Sequence, residues 1–193
     1  MPPPGDDLPR VHVAAAEVCI ARKPVLIETV LGSCVSAVVW SRRLKVGGIC
    51  HGALPQCPSG MLRDRGPKPC LRYVDFAIKY LVQEVAAMGA TREELEVKLF
   101  GGGDVLVVTN PESRPTVGRL NCEAALKVLC EEGFEVAASS LGGTCGLNIQ
   151  FHTITGEVLL KRLSVMGAAN VSGSSRRGNP CADGRLKEEE EKE

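Results

Sequence analysis

Leu31-Gly32-Ser33-Cys34-Val35-Ser36-Ala37-Val38-Val39-Trp40 reads as a tight backbone passage at Gly32 followed by a strand. Cys34 stands where the alternation begins, with Val35, Ala37 and Val39 on one parity and Cys34, Ser36, Val38 and Trp40 on the other. A second strand-like run, Leu44 to Leu54, carries His51, and only Ser41-Arg42-Arg43 separates the two. A tight hairpin turning at Arg42-Arg43 would set Cys34 directly opposite His51, close enough for thiol and imidazole to meet. Two features work against that register. Arg-Arg is poor chemistry for a two-residue turn, which wants Asn or Gly at positive φ, and Gly47-Gly48 invites a bulge.

The 193-residue chain is long enough for one domain with a substantial core. A reading of residues 1–10 as a loose arm, 11–165 as the domain and 166–193 as a disordered tail follows from composition: Pro, Gly and Asp lead, and Gly, Ser, Arg and then Glu close. Formal net charge is zero and aromatics make up 4%, so neither a basic field nor stacking side chains point to nucleic acid. The longest apolar runs fall far short of a bilayer span, and the start carries no secretory pattern, so a cytoplasmic protein without membrane insertion is expected. Nine cysteines include no Cys-x-x-Cys pair. Only a convergence of Cys50, His51, Cys57 and Cys70 would offer zinc a site, and the preferred reading has no metal and no cofactor.

Outside the hairpin, one or two short strands are expected in Val11–Ile20, a strand at Val25–Leu31, and a loop from Pro55 to Pro69. Apolar spacings of three and four predict a helix from Leu71 to Met88 and another from Asn121 to Glu132, each stopped by glycine. Leu95–Phe100 alternates as a half-buried strand running into Gly101-Gly102-Gly103, which matches neither phosphate-binding glycine motif and reads as a turn where backbones approach closely. Phe134–Ala138 is a short strand, and Gly146–Leu163 a hairpin about Thr155-Gly156. His152 on that hairpin has no acid or nucleophile nearby in sequence and reads as structural.

At Leu31-Gly32-Ser33-Cys34-Val35 and at Gly47-Gly48-Ile49-Cys50-His51-Gly52-Ala53-Leu54-Pro55 the chain resembles the chemoreceptor glutamine deamidase family, CheD. The likeness extends over most of residues 11–163. It implies an α/β fold, a layered sandwich of mainly antiparallel β-strands with two main helices. It also implies a Cys-His-Thr site that hydrolyses receptor glutamine side chains to glutamate, methyl-accepting chemotaxis receptors as substrates, and a CheC-type phosphatase as a further partner. Cys34 and His51 take the first two roles. The family threonine aligns with Glu28, and Thr29 follows one position later, on the opposite face of a regular strand. Thr29 is the preferred third residue, on the expectation that a bulge near Gly32 turns it inward; Glu28 is the alternative. The acidic residue often found before the glycines at Gly142-Gly143 is absent here, and Thr144-Cys145-Gly146 replaces the expected basic residues.

The implied chemistry is nucleophilic: His51 takes or shares the Cys34 proton to give a thiolate–imidazolium pair, the thiolate attacks the carboxamide, His51 protonates the departing ammonia, and a thioester is hydrolysed by water. Glutamyl methyl esters present the same carbonyl with a better leaving group. The competing reading is a weakly catalytic or non-catalytic chemotaxis adaptor that docks on receptors or a CheC-type phosphatase. The altered position 28 is the feature that keeps it open.

Overall fold

The computed structural model describes residues 8–105 and 115–163. The expected tail, 166–193, and the first seven residues of the expected arm lie outside the described residues. Among the described residues, nine strands form two sheets. Strands β1 (Arg10–His12), β3 (Leu26–Leu31), β8 (Gly146–His152) and β9 (Val158–Leu163) make one sheet in the order β1-β3-β8-β9. Strands β2 (Val18–Ala21), β4 (Val35–Ser41), β5 (Val46–Gly52), β6 (Leu95–Gly101) and β7 (Val136–Leu141) make the other in the order β2-β5-β4-β6-β7. Pairing is antiparallel except for β1 with β3 and β6 with β7. Helices α3 (Val74–Ala86) and α4 (Val117–Glu131) cover the outer face of the five-stranded sheet. The result is the layered α/β sandwich of mainly antiparallel strands that the family resemblance implies.

β4 is the centre of this arrangement because both of its faces are apolar. Val35, Ala37 and Val39 join Ala77, Ile78, Leu81, Ala125, Val128 and Leu129 of the helices. Val38 and Trp40 meet Ile27, Leu31, Ile149 and Phe151 of the four-stranded sheet. Every residue of β4 is buried, as a middle layer requires. Trp40 also fastens the sheets, its indole N–H donating to the Thr153 carbonyl at 2.8 Å beneath the β8–β9 turn.

The β4–β5 hairpin differs from the expected register by two residues. Ser36, not Cys34, lies opposite His51, and Ser41 pairs with Val46. The turn takes four residues, Arg42 to Lys45, with Lys45 at φ 54° and its N–H on the Ser41 carbonyl at 2.9 Å. Arg42-Arg43 cannot easily supply the paired positive φ angles of a two-residue turn, so the chain goes further before reversing. Because side chains alternate with period two, a slip of two residues keeps Cys34 and His51 on the same sheet face.

Other boundaries move for local reasons. β1 begins at Arg10, one residue inside the expected arm, and pairs it with Leu26. The expected loop Pro55–Pro69 contains two short helices, α1 (Met61–Arg65) and α2 (Pro67–Cys70), the second with Pro67 in its first turn, where a missing N–H and a fixed φ are harmless. α4 starts at Val117 rather than Asn121, capped by Thr116, whose hydroxyl accepts from the Arg119 N–H at 3.2 Å. Gly118 lies within this helix because a Cβ there would come 2.5 Å from the Gly102 carbonyl oxygen.

Candidate active site

The Gly32–Cys34 segment is held by its carbonyls. Gly32 O accepts from the Gly103 N–H at 2.8 Å and Cys34 O from the Gly102 N–H at 2.7 Å. Ser33 O accepts from the side-chain amide of Asn121 at 2.8 Å. The glycine run after β6 is therefore the close backbone approach that the sequence suggests. Gly101 has φ 105°, and a Cβ there would stand 2.2 Å from Cys34 O. Cys34 itself precedes β4, half-buried against the core between the sheets.

His51 is clamped on both sides of its backbone by the turn that links β1 to β2. Its N–H donates to Glu17 O at 3.0 Å, and its carbonyl accepts from the Ala16 N–H at 2.8 Å. Ala16 takes φ 67° to make that turn. The imidazole is 5% exposed and points between the sheets, because His51 shares a face with Ile49 while Cys50 joins the helix-side core. Cys50 and His51 thus point to opposite faces, and the zinc cluster considered from sequence does not assemble. Cys34, one pleat beyond Ser36, is the diagonal neighbour of His51 across the hairpin, a relation with a typical separation of about 7–8 Å that long side chains close.

From the facing sheet, Thr29 reaches the imidazole. Its Oγ1 lies 2.8 Å from His51 Nδ1 and donates its own proton to the Val13 carbonyl at 2.7 Å. A hydroxyl has one proton, so toward His51 it accepts, which places the imidazole proton on Nδ1 and leaves Nε2 with its lone pair. Glu28 faces away, accepting from Arg10 Nη1 at 2.6 Å and Gln150 Nε2 at 2.9 Å. The bulge expected near Gly32 is not what turns Thr29 inward. β3 pairs with β8 without a break from Leu26 to Leu31, and Ile27, Thr29 and Leu31 share the inner face by simple alternation.

Burial sets the protonation of the pair. It pushes the Cys34 thiol above its ordinary value, against the opposing pull of its own backbone N–H. It likewise lowers the His51 pKa, outweighing the Val13 carbonyl, with His12 adding to the lowering and Glu17 opposing it. Both shifts favour a neutral thiol beside a neutral imidazole at rest, rather than a standing ion pair.

Comparison with known proteins adds a second line. Residues 54–162, more than half of the chain, match the family described as CheD chemotactic sensory transduction. The chain belongs to the CheD family. It is 45% identical over 157 residues to a protein of Geobacter sulfurreducens named probable chemoreceptor glutamine deamidase CheD 2, covering 81% of this chain and 92% of that one. A Maridesulfovibrio salexigens protein named probable chemoreceptor glutamine deamidase CheD is 34% identical over 165 residues, covering 84% and 97%. A protein of Methanosarcina acetivorans, named probable chemoreceptor glutamine deamidase CheD 1, is 35% identical over 154 residues, covering 79% of this chain and 92% of that one. These CheD relatives span nearly their whole length on this chain.

Two elements of the site in this CheD chain escape a sequence reading. The Val13 carbonyl, which directs the Thr29 proton, is a backbone group with no sequence signature. Asn121 does leave a signal. It occupies the buried stripe of α4 with Ala124, Ala125, Val128 and Leu129, where an amide is out of place unless it has a task. Taken as the first residue of the expected helix, it draws no notice. Among the described residues no helix is long and apolar enough to cross a membrane.

Proposed function

We propose that this protein is a chemoreceptor glutamine deamidase in which Cys34 is the nucleophile, His51 the general base and acid, and Thr29 the residue that orients the imidazole. The observation that carries the reading is the His51 Nδ1 contact with Thr29 on the same inner face toward which Cys34 projects. As a glutamine carboxamide enters, His51 Nε2 takes the Cys34 proton while sulfur adds to the carbonyl carbon. Collapse of the tetrahedral adduct expels ammonia, which leaves with the proton that His51 returns. Water, deprotonated by the same nitrogen, then cleaves the thioester to glutamate and restores the thiol. Because burial keeps both groups neutral at rest, proton transfer accompanies attack instead of preceding it. Backbone N–H groups at Ser33 and Cys34 are the donors for the oxyanion.

Methyl-accepting chemotaxis receptors as substrates, a CheC-type phosphatase as partner and the cytoplasm as compartment belong to the same reading, which rests on the family and the names of its relatives. The non-catalytic adaptor loses its main support, since position 28 faces away from the site and Thr29 stands beside His51. Incubation with a cytoplasmic receptor fragment, followed by mass spectrometry for amide-to-acid conversion at glutamines, tests the activity. Unchanged receptor glutamines after prolonged incubation with folded enzyme would overturn it.

A further inference from the structure

Three peptide units form the passage around the nucleophile, and two of them are held by backbone alone, through Gly102 and Gly103. The middle unit, joining Ser33 to Cys34, is held by a side chain. Asn121 Nδ2 donates to Ser33 O at 2.8 Å and, with its other proton, to Ala53 O at 3.1 Å. Ala53 directly follows β5, two residues after His51. One carboxamide therefore joins the peptide that carries the nucleophile to the strand that carries the base.

The bond to Ser33 O has a consequence for Cys34. In a trans peptide the carbonyl and the N–H point in opposite directions. Fixing Ser33 O toward α4 turns the Cys34 N–H away from α4. Donation to the carbonyl also polarises the peptide and makes its N–H a better donor. The geometry points to Asn121 as a positioning residue for catalysis: it orients and polarises the Ser33–Cys34 peptide so that the Cys34 N–H is preset for the oxyanion.

Asn121 is 0% exposed and its Oδ1 has no hydrogen-bond partner among the described residues. Burying an amide with an unpaired acceptor is unfavourable, and an apolar residue on this stripe would serve packing better. The two donated bonds satisfy the Ser33 and Ala53 carbonyls, so the amide holds the two segments together as well as aiming the peptide.

The inference rests on the proposed deamidation, and its test separates the two. Asn121→Ala is compared with wild type in melting temperature, in receptor-fragment deamidation, and in the rate of Cys34 alkylation by iodoacetamide read at its peptide. Alkylation is displacement at a saturated carbon and makes no oxyanion, so the N–H enters it only through its pull on the thiol and not through the transition state. The expected result is a fall in kcat of about ten- to a hundredfold with KM and alkylation within about twofold of wild type. If Asn121→Ala melts below the assay temperature, Asn121→Leu, nearly isosteric but without the amide protons or a charge, is read the same way. Unchanged kcat, or kcat and alkylation falling by the same factor, would overturn the role given to Asn121. Absence of deamidation by wild type would instead overturn the proposed function.

Discussion

Thr29 Oγ1 lies 2.8 Å from His51 Nδ1 and passes its own proton to Val13 O, so one buried hydroxyl links the two sheets through the imidazole. β3 supplies the hydroxyl, β5 the ring, and the segment after β1 the final acceptor. No two of these groups are neighbours in sequence.

Thr29→Ala should lower kcat by about ten- to a hundredfold by releasing the imidazole from its orientation. It also leaves a buried N–H unpaired, which costs about 1–3 kcal/mol and reads as a lower melting temperature. Thr29→Ser keeps the hydroxyl and should recover most of the turnover. Glu28→Gln should leave turnover near wild type, because Glu28 faces Arg10 and Gln150. A large loss in Glu28→Gln with none in Thr29→Ala would reverse the assignment.

Cys34→Ala should abolish deamidation while shifting the melting temperature little, since the side chain is only half-buried. In the wild type, alkylation of Cys34 should continue to rise with pH beyond the range of an exposed thiol, because burial raises its pKa. A rate already level at neutral pH would show a resting thiolate and contradict the neutral pair.

His51 gives stability a direction with pH. Its folded pKa is depressed below the ordinary 6.5, so above that value both states hold a neutral ring and the folded state has no deficit. As pH falls through 6.5 toward the folded value, the unfolded chain binds the proton first, and stability is lost. Melting curves of wild type and His51→Asn between about pH 8 and pH 5 should show the wild type losing ground relative to the variant on acidification. A difference that does not change with pH would refute the depressed pKa.

Gly101→Ala should damage both stability and turnover. The new Cβ would meet Cys34 O at 2.2 Å from a backbone at φ 105°, which L side chains rarely adopt. The expected destabilisation is about 1–3 kcal/mol by chemical denaturation, with a loss of kcat in the protein that remains folded, because the clash displaces the nucleophile segment. An alanine variant as active and as stable as wild type would show that the segment yields freely.

The sequence by itself determined the kinds of elements and the shared face of Cys34 and His51, the two groups proposed to react. Alternation in Val35–Trp40 and three-four spacing in Val74–Val85 are local consequences of strand and helix geometry and survive folding unchanged. Cys34 and His51 share a face under either hairpin register, because a slip of two preserves parity. Tertiary structure decided what depends on which sheet meets which. Thr29 prevails over Glu28 only because β3 presents its odd-numbered side chains to the five-stranded sheet, a choice made by the burial of Ile27 and Leu31 against Val38, Ile49 and Phe100. Asn121 acquires its task only when α4 is laid across the ends of β4 and β5, bringing one amide within reach of carbonyls 88 and 68 residues away in the chain. Periodicity records which side of an element is apolar. The partner that covers that side is set by the packing of the layers.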